Sequence, residues 1–274
     1  MTYPTGYSIG QTDPPRSPRE TLPTMYDLPS EFPEEPGLPD EFHDLQPQLL
    51  SRTLALSDYS RDRWFTGSDL NLYYDVHHPL WHKRPDWFLA VGVSRLYDGH
   101  DLRRSYVVWQ EGAAPAVIVE FLSPRTECED LGRFYQDVDR VVDINDDAES
   151  VDLGQVPRKL EVYETYLRVP HYIVYSRYTQ RLRYFKLVGR QYEEQNINND
   201  AVQALWLDDL NVGLGIWTGE FEGIRGHWLR WCDAQGNWFL TDTEQAQNQN
   251  QAAQQRADRL AQRLRDLGVD PDQI

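Results

Sequence analysis

The stretch AVIVEFL, residues 116–122, decides the fold. It is short, rich in β-branched residues and almost continuously apolar, as a strand is when a sheet buries it on both faces. One charge interrupts it, Glu120. A carboxylate in such a strand is costly unless it is paired or bound to a metal. Two readings follow. Glu120 pairs with an arginine such as Arg125 or Arg158, as structural ion pairs in cores do. Alternatively, it belongs to a chemical site.

The segments around it read as β structure. LNLYYDV (70–76), DWFLAVGV (86–93) and SYVVWQ (105–110) are β-branched and aromatic, with Pro, Gly, His and Asp between them. PRKLEVYETYLR (157–168) reads as a helix, with Pro157 in its first turn and Leu160, Tyr163, Tyr166 and Leu167 on one face. HYIVYS (171–176) and RLRYFKLV (181–188) read as a hairpin around Tyr178-Thr179-Gln180. The apolar spacing of Leu49, Leu50, Leu54 and Leu56 predicts a short helix within 48–64. A smaller β segment follows the hairpin, from ALWL (204–207) through NVGLGIW (211–217) and HWLRW (227–231) to NWFL (237–240).

The two ends differ from this centre. Residues 1–47 hold ten of the 17 prolines, which disfavours regular structure and predicts a disordered or loosely draped acidic arm. From about Thr243 the chain is rich in Gln, Ala and Arg, all good helix formers apart from a few asparagines. Ala246, Asn250, Ala253, Ala257, Leu260, Leu264 and Leu267 repeat at 4-3 spacing, a heptad seam. It fits either a coiled coil, hence a homodimer, or a solitary helix packed on its own domain. Gly268 and Pro271 fit a helix stop. The expected division is an arm at 1–47, a mixed α/β domain at 48–200 with an acidic insertion at 127–152, a β segment at 201–241, and a terminal helix at 242–274.

The net charge of −17 opposes a phosphate-binding role at first sight, but it is unevenly placed. Residues 1–47 carry nine acids and two arginines, and 127–152 carry ten acids and two arginines. The remaining 25 acids nearly balance 23 bases, so a local basic groove is allowed. No run of about 18 apolar residues exists, so no membrane span is expected. The N-terminus lacks a signal-peptide pattern. Two cysteines, Cys128 and Cys232, make neither a disulfide framework nor a zinc site, which fits a reducing cytoplasm. His77, His78 and His82 lie around a proline turn near Asp75 and read as a surface loop. Trp217, Trp228, Trp231 and Trp238 could stack bases, but filling a small β core is the better default.

Metal-assisted phosphodiester cleavage needs anionic oxygens for the ion and a cation near the attacking water or the phosphate. Asp86 begins a strand after Pro85, about thirty residues before Glu120, which is enough for a meander that sets the two strands side by side. Pro85-Asp86, the block Glu120-Phe121-Leu122-Ser123-Pro124, and the helix from Lys159 to Tyr163 followed by Arg168-Val169-Pro170-His171-Tyr172 resemble the Uma-two family. These are restriction-endonuclease-like proteins of the PD-(D/E)XK nuclease superfamily. The resemblance spans roughly residues 65–274. It implies a restriction-endonuclease-like core sheet flanked by helices, with Asp86, Glu120 and Lys159 as catalytic residues. Asp86, Glu120 and the Phe121 carbonyl would hold Mg²⁺ or Mn²⁺, and the substrate would be DNA. The superfamily's usual lysine two residues after the glutamate is Leu122 here, and Lys159 takes that role. Tyr163, one turn on, packs or contacts a phosphate. A fourth acidic ligand on an early helix is common in the superfamily, and Asp62 and Asp75 are the candidates. The rival reading keeps the fold without catalysis, as a protein-interaction or scaffold module.

Overall fold

The computed structural model describes residues 40–123, 127–135, 156–197 and 204–267. The proline-rich arm up to residue 39, most of the acidic insertion, Arg125 and the Gly268–Pro271 helix stop lie outside the described residues. The architecture below belongs to the unit Glu41–Ile274.

In chain order the elements are α1 (Glu41–Thr53), a 3-10 turn (Arg61–Arg63), β1 (Trp64–Gly67), β2 (Leu72–Tyr73), β3 (His82–Lys83), β4 (Trp87–Val91) and β5 (Tyr106–Val107). Then come α2 (Val108–Glu111), β6 (Val117–Phe121), α3 (Glu127–Leu131), and α4 (Lys159–Glu161), which runs on as a π-helical turn (Val162–Tyr166). β7 (His171–Ser176), β8 (Arg181–Val188), β9 (Gln191–Gln195), β10 (Ala204–Leu207), β11 (Val212–Phe221), β12 (Ile224–Cys232) and α5 (Asp242–Asp266) complete the chain.

β6 lies inside a six-stranded sheet of order β1-β4-β6-β7-β8-β9. All five of its residues are buried, as the apolar run predicts. It pairs antiparallel with β4 and parallel with β7; every other pairing in the sheet is antiparallel. The two-residue period of a strand divides β6 between two cores. Val117, Val119 and Phe121 join Trp87, Leu89, Ile173 and Tyr175 on one face. Ile118 joins Phe88, Tyr172, Val174 and Phe185 on the other, and Glu120 follows that parity.

The first face is covered by α1 and by the antiparallel sheet β10-β11-β12. Phe42, Gln46, Leu49, Leu50 and Thr53 are buried along one stripe of α1. The Gln46 amide exchanges two hydrogen bonds of 2.8 Å with the Leu229 backbone. The Trp231 indole donates to the Leu50 carbonyl at 3.0 Å. The C-terminal β segment therefore shares the main core. The helix expected within 48–64 instead starts at Glu41 and ends at Thr53, with Pro47 inside it. The prolines hid a stripe that begins before the arm's expected end.

LNLYYDV and SYVVWQ, read as strands throughout, are strands over two residues each. Only Leu72–Tyr73 and Tyr106–Val107 pair, and they do so in a separate sheet of order β3-β2-β5. After Val107 the chain turns into α2, closed by Gly112 at φ 75°, while Glu111 forms a buried pair with Arg103 at 2.7 Å. NWFL contributes one bridge, Trp238 to Cys232. β9 was not anticipated, because Tyr192 is its one apolar residue.

α5 begins with a capping box in which Thr241 and Glu244 satisfy each other's amides. Arg230 binds Glu244, and Arg52 binds Asp242 at 2.9 Å, fixing its first turn. None of the residues in Asp242–Asp266 is buried.

Candidate active site

The register of β4 and β6 pairs Trp87 with Val119, so Asp86, one residue earlier, faces Glu120. Each reaches the other's backbone. The Phe121 amide donates to Asp86 Oδ2 at 2.6 Å, and the Asp86 amide donates to Glu120 Oε2 at 3.3 Å. The pairing expected from a meander is thus made at the strand end, and it fixes both carboxylates against a rigid frame.

The helix after the insertion closes over this pair. Lys159 Nζ donates to Glu120 Oε2 at 3.1 Å, and the Tyr163 hydroxyl donates to Glu120 Oε1 at 2.7 Å. Residues four apart share a helix face, so both side chains reach one carboxylate. From Val162 onward the helix widens: the Leu167 amide bonds to the Val162 carbonyl at 2.9 Å, a five-residue step. Such π turns recur at functional sites. Burial and the adjacent Glu120 hold the Tyr163 phenol well above its ordinary pKa, so it stays a neutral donor. Its role here is a contact with Glu120.

Asp130 was missed by sequence reasoning. It is 1% exposed and lies 2.9 Å from Lys159 Nζ. The Tyr172 hydroxyl donates to its carbonyl at 2.7 Å, anchoring α3 to β7. Gly132 follows at φ 48°, and a Cβ there would stand 2.7 Å from Leu160 Cδ2. Leu131-Gly132, an apolar residue and a glycine breaking an acidic run, was the one available signal.

Three carboxylates therefore surround one ammonium. Burial pushes the Glu120 carboxyl well above its usual pKa; Lys159 opposes this, while Asp86 and Asp130 add to it. Burial works against the Lys159 charge, but Asp130, Glu120 and Asp86 outweigh it and raise its pKa. Lys159 is a fixed cation, and the cluster as a whole is short of positive charge.

The family model described as "Putative restriction endonuclease" (Uma2) matches residues 20–216, well over half of the chain. The chain belongs to the Uma2 family. The match covers Asp86, Glu120, Asp130, Lys159 and Tyr163 together. It starts earlier than the resemblance at 65–274 and takes in α1, but ends within β11. Comparison with curated proteins gave no match, and comparison with solved structures gave none.

Asp62 and Asp75 do not join the Uma2 centre. Asp62 is exposed in the 3-10 turn, and a hydrogen bond from Ser60 is the main influence on its carboxyl. Asp75 accepts from the His77 amide at 2.9 Å and pairs with His78 at 2.7 Å, so it organises its own loop. The early helix instead brings His43, whose Nε2–H donates to the Phe121 carbonyl at 3.1 Å.

Restriction-endonuclease-like nucleases generally use divalent metals. Mg²⁺ takes one or two carboxylates and keeps several waters. Asp86 and Glu120 supply hard anionic oxygens, and the Phe121 carbonyl has a second lone pair beside the one His43 uses. The donor set fits that ion in a charge-deficient cluster. Among the described residues no group of three or more His, Cys, Asp or Glu side chains forms a metal cage.

Proposed function

We propose that this protein is a divalent-metal-dependent endonuclease that hydrolyses phosphodiester bonds in DNA. The observation that carries the proposal is Glu120, fully buried in the central strand, facing Asp86 and gripped by Lys159 and Tyr163. An acid so placed costs stability, and a chemical role accounts for its retention. Asp86, Glu120 and the Phe121 carbonyl would hold Mg²⁺ or Mn²⁺. Bound there, the ion supplies Lewis acidity, making water more acidic and offsetting phosphoryl charge. Lys159 presents a permanent positive charge to the phosphate, where anionic charge grows as the bond breaks. Asp130 positions Lys159, and Tyr163 fixes the Glu120 carboxylate.

The test is cleavage of supercoiled and linear DNA by the purified protein with Mg²⁺ or Mn²⁺, with a chelator as control. Glu120→Ala should lower the rate at least ~100-fold, as loss of an electrostatic catalytic group does. A wild-type rate in that variant would overturn the assignment. Absence of cleavage by the wild type with either ion would favour the interaction-module reading.

The proposal includes a homodimer through α5. A helix with no buried residue and a seven-position seam lacks the packing that usually sustains a helix. In a parallel pair Asn250 meets its own copy. An antiparallel pair centred on Ala257 and Leu260 would set Asn250 against Leu267 and bring Arg256 near Arg263. The parallel arrangement avoids both costs.

A further inference from the structure

Between β2 and β3 the chain makes two tied turns. The His78 amide donates to the Asp75 carbonyl at 3.2 Å, and the Trp81 amide donates to the His78 carbonyl at 2.8 Å. The Asp75 carboxylate accepts from the His77 amide at 2.9 Å and meets the His78 ring at 2.7 Å. That ring stacks on Trp81 at 3.8 Å and 9°, and Pro79 fixes the backbone between them. This well-bonded loop holds apolar side chains outward. Leu80 is 82% exposed, more than any other large apolar residue among those described, and Val76 is 58% exposed. A stiff frame that keeps a leucine in water does nothing for the isolated fold, but it presents that side chain pre-organised for burial in a partner.

The loop is anchored to the elements that carry the candidate centre. Tyr166 ends the π turn that holds Tyr163, and its ring lies 5.3 Å from Tyr74, which lies 6.5 Å from Trp81. At the other foot of the loop, Lys83 binds Glu129 of α3 at 3.0 Å, next to the Asp130 that holds Lys159. Six residue steps of at most ~3.5 Å separate Leu80 from Asp86, so the tip stands within about 21 Å of that residue's backbone.

The surroundings of the tip select its partner. Residues 76–85 contain three histidines, a lysine and an arginine but no acid, in a chain with 44 acids. Lys83 and Arg84 are balanced by Glu129 and Asp69, so the loop does not repel phosphate and does not depend on it for grip. Two exposed apolar side chains make too small a patch for a stable protein interface, which needs roughly 800 Å² per partner. A base step, in contrast, takes a single leucine. We infer that Leu80 is a wedge that enters the base stack of duplex DNA beside the cut, with Pro79 and the His78–Trp81 stack as its stiff support. This rests on the nuclease reading and narrows its substrate to duplexes with an easily unstacked step, such as TA or CA, near the scissile bond. At 3.4 Å per step the reach of the loop sets that distance at no more than about six base pairs.

The experiment uses duplexes of one sequence that carry 2-aminopurine, whose fluorescence rises on unstacking, at successive adenines. Binding and fluorescence are read with wild type in chelator and with Glu120→Gln in Mg²⁺. Binding should brighten the probe at a flexible step. Leu80→Ala should abolish the brightening and weaken binding roughly tenfold, the loss expected of one buried leucine side chain, with the melting temperature unchanged. Leu80→Phe should keep both effects. Leu80→Lys separates a wedge from a loop laid along the backbone: it adds a cation, yet its complex should stay dark. Where metal-loaded wild type cleaves, the cut should fall within about six base pairs of the brightened step. Duplexes that stay dark at every probe position, no duplex binding by either protein, or a Leu80→Ala protein that binds and brightens as its parent does overturns the inference. Leu80-dependent binding to phosphatidylcholine vesicles in place of DNA overturns it as well. Cleavage by wild type alongside any of these results sinks the wedge alone. Leu80-dependent brightening without cleavage by metal-loaded wild type sinks the hydrolytic reading alone.

Discussion

Glu120 concentrates the conflict between stability and chemistry. Its carboxyl is pushed upward by burial and by two neighbouring acids, so the anion is held at a cost. Glu120→Gln removes that cost. An amide can turn its oxygen toward Lys159 and the Asp86 amide and its nitrogen toward the Tyr163 hydroxyl, while Asp130 keeps Lys159 paired. With chelator present, this variant should melt about 2–4 °C above wild type at pH 8 while losing cleavage; scanning calorimetry beside the DNA assay reads both. A melting point well below wild type would mean that the anion stabilises the fold. Asp86, Glu120, Lys159 and Tyr163 were legible because each breaks its local pattern or falls in a resemblance block. Asp130 was hidden among ten acids in 127–152, where one more carboxylate carries no signal. Asp62 and Asp75 were sought on the expectation of an acidic fourth ligand, whereas the early helix presents a histidine.

Among elements, α3 is the joint that sets Asp130 against Lys159. Gly132 supplies the left-handed turn and the clearance for Leu160. Gly132→Ala adds a methyl into that contact at a backbone angle alanine disfavours, and should cost roughly 1–3 kcal/mol in urea unfolding. Its cleavage rate should fall while the KM for DNA holds, because Lys159 shifts and the binding surfaces do not. Full activity in this variant would show that α3 does not position the lysine.

β7 offers a pH test. His171 is buried between Tyr184 and Asp209, bonded to each at 2.7 Å, and burial holds its pKa below the ordinary histidine value even though Asp209 opposes this. The unfolded chain therefore binds this proton more readily than the folded one. The stability present above about pH 6.5 is lost as pH falls through that value. Wild type should lose melting temperature between pH 7.5 and 5.5 more steeply than His171→Asn; parallel slopes would exclude His171 as the cause. The hairpin and central strand were readable because alternation and β-branching are local properties. The fates of SYVVWQ and LNLYYDV were not, because the same residues suit either sheet and the choice rests on tertiary partners such as the Arg103–Glu111 pair.

At the scale of the molecule, the proposed homodimer rests on the seam of α5. Leu260 is 53% exposed and Leu267 78%, which is costly for a helix in water. Leu260→Glu with Leu264→Glu should convert a dimer into a monomer by light scattering on a sizing column, with DNA-free melting of the core unchanged. A wild-type protein that is already monomeric at high micromolar concentration would refute the parallel pair.

A rod of this length has a mechanical meaning. At 1.5 Å per residue α5 extends about 37 Å, and among the described residues the ion pairs that pin it to the body, from Arg52 and Arg230, lie in its first turn. In the proposed parallel pair, two bodies tethered to one such stalk would emerge on the same side of it, joined by a stiff handle rather than face to face. Their reach would then be set by the pinned turns, and under the proposed nuclease activity two nicks on opposite strands would become a matched event with a preferred spacing. Shortening the stalk by whole heptads should leave that spacing unchanged, whereas loosening the Arg230 clamp should blur it.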